Sequence, residues 1–426
     1  MDRPPVTSHA RWMLASWAGA AIVALVVALV VVSLDDGETE NLPQSTVVTP
    51  APVPAGAQSR RTDWLNVKAY GAKGDGRADD SRPVQAAIDA ARGRAAKAGD
   101  APTVHGGTVY FPRGHYRVAR PLNADNAVSV VLQGDGAQSQ GFGTLPASAI
   151  TYSGSGSGSF LLARSSQGLA IKGLGIRYSS SKFTGNLIDF SHAPGQPGDA
   201  AYMTLEDCLL TGPNEASAAA LVSFHQAILG SVRNCHLQFA KVGITGKKQI
   251  GDATSYANAI EIRGSTFDDL TTSAIMNAGE GWTIDGNWFE GTDGGTGGMP
   301  RAYSDNLPGD RRASSTAGLS FTGNWFGDAV AIKDAWITTG TGTVVRGLHI
   351  AGNLFSGGPA AVSIPGLAYG ISINGNFMGT KGPAVDLNDT FKDGVSIVGN
   401  QMSPNLPPVV GTKAAKNATI SANSNG

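Results

Sequence analysis

Asp189, His225 and Lys247 each lie in a short run of alternating character: Ile188-Asp189-Phe190-Ser191, Val222-Ser223-Phe224-His225 and Ile244-Thr245-Gly246-Lys247. In an extended chain alternate residues share a face. Ile188, Phe190, Val222, Phe224 and Ile244 therefore turn inward, and Asp189, Ser223, His225, Thr245 and Lys247 turn outward. A carboxylate, an imidazole and an ammonium on one face are the groups of proton-transfer catalysis: one takes a proton, one gives a proton, and a cation balances the negative charge that develops. The same frame expects strands at 274–277 and 330–334, with Ile275 and Ile332 inward and Lys333 outward. Glu280, Glu290 and Asp334 add carboxylates. The candidate catalytic set is Asp189, His225, Lys247, Glu280 and Asp334, and the candidate binding set is Ser223, Thr245, Lys333, Arg301 and Tyr303. For each of them the plainer reading is solvated surface, and Glu290, directly after Phe289, can equally serve a turn.

The elements that must position these groups emerge from a repeat, apolar-x-Gly-Asn-x-apolar. It occurs at Ile284–Phe289, Phe321–Phe326, Ile350–Phe355, Ile373–Met378 and Ile397–Met402, with a remnant at Ile420-Ser421-Ala422-Asn423. The frame extends backwards to Ser265, Cys235, Cys208 and Leu174. Successive intervals from Leu174 are 34, 27, 30, 22, 37, 29, 23, 24 and 23 residues. The short intervals define a coil, and the long ones are coils with insertions. A coil of 22 to 24 residues holds three short strands and three turns, so each strand pairs in parallel with its counterpart about 4.8 Å along a rod. A propeller blade needs about 40 residues or more and is excluded. At the Gly-Asn bend the Asn tolerates left-handed dihedrals, and its amide can donate to the identical Asn of the next coil. Asn287, Asn324, Asn353, Asn376 and Asn400 thus form a structural ladder. Cys208 and Cys235 occupy the same column on adjacent coils, within disulfide reach; the alternative is a buried pair of thiols.

Composition agrees with short strands and turns. The chain has 426 residues with 57 Gly, and 32 Lys plus Arg balance 33 Asp plus Glu. The absence of basic excess argues against nucleic acid as a partner, and the Gly content argues against a helical bundle.

Residues 12–34 carry no charge over 23 positions, long enough to cross a bilayer. Arg3 and Arg11 precede this segment and Asp35, Asp36, Glu38 and Glu40 follow it, which predicts a signal anchor with residues 1–11 in the cytoplasm and the remainder exported to the periplasm or beyond. A cleaved signal peptide would need a small-residue site close behind, and the nearest, Ala55-Gly56-Ala57, lies far downstream. Residues 35–61, rich in Pro and Ala, read as a linker. Without the first 40 residues, 30 basic groups face 28 acidic ones.

From Asn66 to Tyr116 three stretches follow the linker: Asn66-Val67-Lys68-Ala69-Tyr70-Gly71-Ala72-Lys73-Gly74-Asp75-Gly76, the helical Val84–Ala91, and Gly106-Gly107-Thr108-Val109-Tyr110-Phe111-Pro112-Arg113-Gly114-His115-Tyr116. They resemble the opening of pectate lyase superfamily proteins, which include rhamnogalacturonase-like, epimerase-like and tailspike proteins. The resemblance implies an all-β, right-handed, single-stranded parallel β-helix of about ten coils at 126–426, with an N-terminal cap at 62–125. In the cap, Asp79 and Asp80 can cap the helix. The resemblance further implies polysaccharide as partner, with the cleft along the strands that carry Asp189 and His225. For β-elimination, His225 or Lys247 would remove the proton beside a uronate carboxylate; hydrolysis would need two carboxylates about 5–9.5 Å apart. The family's catalytic signatures are absent: Arg-x-Pro-x-x-Arg of pectate lyases, Asn-Thr-Asp and Gly-His-Gly of polygalacturonases, and Asp-Pro-His-Asp of mannuronan epimerases. Asp268-Asp269 stands without its flanking motif. The competing reading is a non-catalytic glycan-binding or structural module. No cofactor is expected; Asp293-Gly294-Gly295-Thr296-Gly297-Gly298 hints at Ca2+ but offers one carboxylate to a shell of about six to eight oxygens. Trp282, Trp288, Trp325 and Trp336 could stack sugar rings, or Trp288 and Trp325 each other.

Overall fold

The computed structural model describes residues 64–92, 106–137, 145–192, 199–213, 217–246, 257–276, 279–290, 301–304, 314–327, 332, 334–404, 407–421 and 423–425. The expected span at 12–34 and linker at 35–61 lie outside these residues, and no described helix is long and apolar enough to cross a membrane.

The chain winds as a parallel β-helix with three faces. One coil near the C-terminus shows the plan: Leu367–Asn374 runs up to the Gly-Asn bend, Phe377–Gly379 leaves it, and Val385–Asp386 forms the strand before the next coil begins. These are here named the second, third and first faces respectively. Strands of the second face form one continuous sheet of thirteen among the described residues, from Leu65–Asn66 to Ala415–Ser421. Two of these, Leu65–Asn66 and Gly107–Phe111, lie in the segment expected as the cap, and the other eleven, from Val130–Gly134 onward, fall within 126–426, where about ten coils were expected. The first and third faces join into one sheet where His236–Thr245 and Thr266–Met276 run unbroken around their shared corner. Both contain a left-handed residue at that corner, Phe239 and Asp269.

One apolar core runs from Leu65 to Met402. On the third face its side chains stack coil on coil: Phe267, Phe289, Phe326 and Phe355 follow one another at ring separations of 5.0, 4.9 and 4.4 Å, within 11° of parallel. Beside them runs the amide ladder. Nδ2 of Asn287, Asn324, Asn353, Asn376 and Asn400 donates to Oδ1 of the next ladder Asn at 2.8–3.0 Å. Each of those Oδ1 atoms also accepts the backbone N–H of the Asn before it, as Asn353 does from Asn324 at 2.9 Å. Every ladder amide is buried, so these bonds satisfy groups that water cannot reach. The left-handed residue is the one before the Asn: Gly323 at φ 61° and Gly352 at φ 63°, and in the coils without Gly, Asp207 at 53° and Asn234 at 52°. Asn itself contributes the amide, and its neighbour contributes the bend.

The ladder changes chemistry towards the N-terminus. Ser265 N–H donates to Asn287 Oδ1 at 2.9 Å and Cys235 N–H donates to Ser265 Oγ at 3.1 Å. Cys208 and Cys235 stand in the structure as buried, unbonded thiols. Their S–H groups reach carbonyls, Glu206 O at 3.2 Å and Arg233 O at 3.1 Å.

In the cap, helix Ser81–Arg92 covers the end of the core with Val84, Ala87, Ile88 and Ala91. The capping roles of the two aspartates differ. Asp79 accepts from Ser81, whereas the Asp80 carboxylate turns back to the Lys73 and Gly74 N–H groups at 2.7 and 3.0 Å and closes that turn.

Candidate functional site on the first face

The first face has a continuous register. Asp189 pairs with Ser223, Ser223 with Thr245, Thr245 with Met276, Met276 with Ser304, and Ser304 with Thr338. Backbone bonds carry the pairing two residues further: Asn126 N–H to Arg164 O at 2.8 Å, Ser165 N–H to Ser191 O at 2.8 Å and His192 N–H to His225 O at 3.2 Å. Asp125, Arg164, Ser191 and His225 therefore stack on four successive coils, beside the column that carries Asp189 and Ser223. One coil of rise and two residues of strand put the Cα atoms of Asp189 and His225 about 8 Å apart.

These outward positions are not open surface. Ser223 is fully buried and His225 is 6% exposed. Ala220, Val242 and Met276 form an apolar cluster separate from the core, and Met276 stands in the Ser223 column. Outward polar groups over a covered sheet make a desolvated polar floor, the setting that shifts proton affinities. Burial pushes the Asp189 carboxyl above its ordinary value, against the opposing pull of the Ser191 and Ser159 hydroxyls and the Arg164 charge. Ser159 Oγ donates to Asp189 Oδ2 at 3.2 Å. Arg164 grips Asp125 through Nη2 at 2.6 Å and Nε at 3.2 Å, which raises the affinity of the guanidinium for its proton. Ser223 Oγ is buried with no partner among the described residues.

Of the residues singled out by sequence, Asp189, Ser223, His225 and Thr245 share this face. Lys247 and Lys333 lie outside the described residues. Glu280 sits at the turn into the second face, bridging to Ala317, with its N–H donating to Asn258 Oδ1 at 3.1 Å. Asp334 is exposed and paired with Arg301. It stands before the first-face strand of its coil, which is Ile337–Thr338 instead of the expected 330–334. The strand Tyr303–Ser304 went unforeseen inside the insertion. Tyr303 is a correction as a ligand contact: it points into the core and meets Phe321 edge-on at 5.4 Å. Trp282 and Trp336 are likewise buried in the core, while Trp288 and Trp325 lie against each other at 4.0 Å. Asp125 and Arg164 were missed because their coils precede the first ladder position. Their signal was in register with Ser191 and His225, which needed the earlier coils to be aligned. For Ca2+, no cluster of three or more His, Cys, Asp or Glu occurs among the described residues, and 293–298 lies outside them.

Comparison with known proteins agrees with the fold. Alginate lyase 7 of Azotobacter vinelandii is 48% identical over 66 residues, 16% of this chain and 6% of that protein. Mannuronan C5-epimerase AlgE4 of the same organism is 50% identical over 54 residues, 13% of this chain and 8% of that one. The chain thus spans a small fraction of these relatives. Among solved structures, PfbA, a surface adhesin of Streptococcus pneumoniae, superposes with a TM-score of 0.53 at 16% identity, over 83% of this chain and 88% of that one. Residues 64–299, more than half of the sequence and including the whole first-face cluster from Asp125 to His225, match a single family, and the chain belongs to it: rhamnogalacturonase A/epimerase, pectate lyase-like.

Proposed function

We propose that the protein acts on a uronate-containing polysaccharide at the first face, by removing the proton beside the sugar carboxylate. The observation that carries this reading is the cluster itself: a carboxyl held protonated more readily than usual, Asp189, one coil from His225 and beside the Arg164–Asp125 pair. Arg164, partly exposed and held by Asp125, would meet the substrate carboxylate. His225 would take the C5 proton, and Asp189 would donate a proton to the departing glycosidic oxygen as the C4–O bond breaks. Return of a proton to the opposite face of C5, with that bond intact, would give epimerisation instead. Hydrolysis is less well supported, because Asp125 is committed to Arg164 and leaves Asp189 without a second free carboxylate at this cluster. Alginate lyase and mannuronan epimerases among the relatives point the same way.

The test is the purified full chain incubated with alginate, polygalacturonate and neutral glycans, following absorbance near 235 nm, reducing ends and the uronate epimer ratio by NMR. Loss of activity on alginate or polygalacturonate in Asp189→Asn, His225→Gln and Arg164→Lys is expected. No reaction on the whole panel, with binding retained, would leave the non-catalytic reading, which the adhesin likeness of the fold and the covered His225 favour. In this proposal the 12–34 segment anchors the exported β-helix, and extraction of the protein by alkaline carbonate would refute that anchoring.

A further inference from the structure

At its N-terminal end the outer side of the third face gathers positive charge. Arg117, Thr151, Arg177, Thr211, Gln238 and Asp268 occupy one register column on six successive coils. They point away from the core, because Tyr116, Ile150, Ile176, Leu210, Leu237 and Phe267 beside them are buried. In the C-terminal half of this column the polar groups hold one another: Gln238 Nε2 donates to Thr211 Oγ1 at 3.2 Å, and Asp268 Oδ2 lies 3.2 Å from His236 Nε2. In the N-terminal half two arginines flank one threonine, and no carboxylate is paired with them among the described residues.

Other strand arginines are matched with acids on adjacent coils: Arg164 with Asp125, Arg233 with Glu261, Arg263 with Asp285 and Arg301 with Asp334. Arg117 and Arg177 make no hydrogen bond and no ion pair among the described residues, and Arg177 Nε is buried without an acceptor. The acids on the strand paired with Arg117 are turned to backbone: Asp75 accepts from the Arg77 and Ala78 N–H groups, and Asp79 from those of Ser81 and Ala119. A guanidinium drawn partly out of water without a counter-charge is costly, and a bound anion offsets that cost. Thr151, 7% exposed, stands between the two arginines with its Oγ1 2.6 Å from His115 Nε2. Burial, and then the Arg177 charge, hold the His115 imidazole below its ordinary value. The ring thus adds a hydrogen-bonding edge at neutral pH without a third positive charge. Beside Arg177, Pro146 packs over Gly175, where a Cβ would fall 2.4 Å from Pro146 Cγ, and forms a wall.

We propose that Arg117, Thr151 and Arg177 form an oxyanion site on the third face, which takes a carboxylate or sulfate group of an acidic sugar. Arginine Cα atoms two coils apart are separated by about 9.6 Å, a gap that one oxyanion bridges when each guanidinium fork offers it N–H groups. The threonine between them supplies a hydroxyl at the middle of that gap. Carboxylate and sulfate share what the arrangement reads, a compact negative group with several acceptor oxygens. Beyond Arg177 the column continues with the Thr211 hydroxyl and the Gln238 amide, groups that suit the hydroxyls of a sugar. That the charge is carried by a sugar rests on the polysaccharide reading above. The site itself does not, and it lies on a different face from the Asp189–His225 cluster.

The test titrates the full chain with trigalacturonate, a sulfated galactotriose, unmodified galactotriose and inorganic sulfate. NMR signals of the Thr151 methyl and the His115 ring report on this site, and those of the His225 ring report on the first face. Saturable shifts at Thr151 and His115 with an acidic trisaccharide, and a Kd raised about ten-fold or more in Arg177→Met and in Arg117→Met, support the proposal. The tighter of the two acidic probes then identifies the oxyanion. Arg177→Lys, which keeps the charge and loses the fork, should weaken binding less than Arg177→Met, and unchanged melting temperatures would show that the variants fold. The proposal is overturned if neither acidic probe moves these signals at millimolar concentration, even where inorganic sulfate does. It is equally overturned if unmodified galactotriose moves them as strongly, or if Arg177→Met binds as the wild type does. Turnover of alginate and polygalacturonate is measured in the same variants, so failure of the first-face reaction and failure of this site are read separately.

Discussion

Replacing Asn353 by Ala should cost the rod several kcal/mol, and the sum can be built bond by bond. Asn353 Oδ1 accepts from Asn324 N–H and Asn324 Nδ2, both at 2.9 Å, so truncation orphans two buried donors. Its Nδ2 donates to Phe321 O at 2.9 Å, which loses that bond, and to Asn376 Oδ1, which still accepts from the Asn353 backbone N–H. At about 1–3 kcal/mol for each buried donor left unsatisfied, the loss is about 2–6 kcal/mol. Asn353→Ser should recover part of it, because Ser265 shows that a hydroxyl in this column can accept the neighbouring backbone N–H. Asn374→Ala is the control: its amide reaches only Ser372 Oγ among the bonds it donates, and its residue is partly exposed, so about 0.5 kcal/mol or less is expected. Urea unfolding gives the midpoints, and amide exchange at Asn324 gives the local opening, which matters because a solenoid can open coil by coil. If Asn353→Ala matched Asn374→Ala, or if the Asn324 amide stayed as protected as in the wild type, the ladder would be ornamental and this reasoning wrong.

Other outcomes follow from single groups. Asp189 has its carboxyl raised by burial, so the stability it allows is complete below its ordinary value of 3.8 and is lost as pH rises through the folded value; between pH 4 and 8 the wild type should lose more stability than Asp189→Asn. Lys392 is buried, donates to Gly366 O at 2.8 Å, and is held by burial at about 8. Its unfolded form keeps the proton to higher pH, so stability should rise from about pH 8 to 10 with a slope of at most about 1.4 kcal/mol per pH unit, absent in Lys392→Met. Cys208 and Cys235 are buried thiols, and burial together with the neighbouring Cys208 pushes the Cys235 thiol up. A thiol reagent should therefore count none in the native protein and two after denaturation; a count of zero in both would mean that they had oxidised.

The parts of the fold that could be read from sequence are those governed by nearest neighbours. Ile-x-Gly-Asn-x-Phe writes the bend, the ladder and the core stack in six letters, because every coil repeats the same contacts. Its limits are physical too. The Asp125 and Arg164 coils have no Gly-Asn bend, so nothing local marked their register, and the ion pair they form became visible only once strands 38 or more residues apart were aligned. Tyr303 reads as polar surface within a Gly-rich insertion, yet that insertion returns to the sheet for two residues and buries the ring. Alternation correctly gave the outward direction of Ser223 and His225 but carried no information about what covers them, since coverage is a property of other segments.

The Asn ladder has one further consequence, for how such a molecule can change its length. From Asn353 to Asn376 is one coil of 23 residues, and the groups that Asn353 offers to the coil above are the same as those Asn376 offers. Excising Leu354–Asn376 would bring Phe377 directly after Asn353 and Asn353 beneath Asn400, with each donor meeting an equivalent acceptor. The rod is thus quantised: duplication or loss of whole coils lengthens or shortens it in steps of about 4.8 Å without leaving a mismatched bond, while an insertion of any other size must be expelled at a corner. Such a chain can drift in length across generations, yet keep the rise that spaces whatever it carries on its faces.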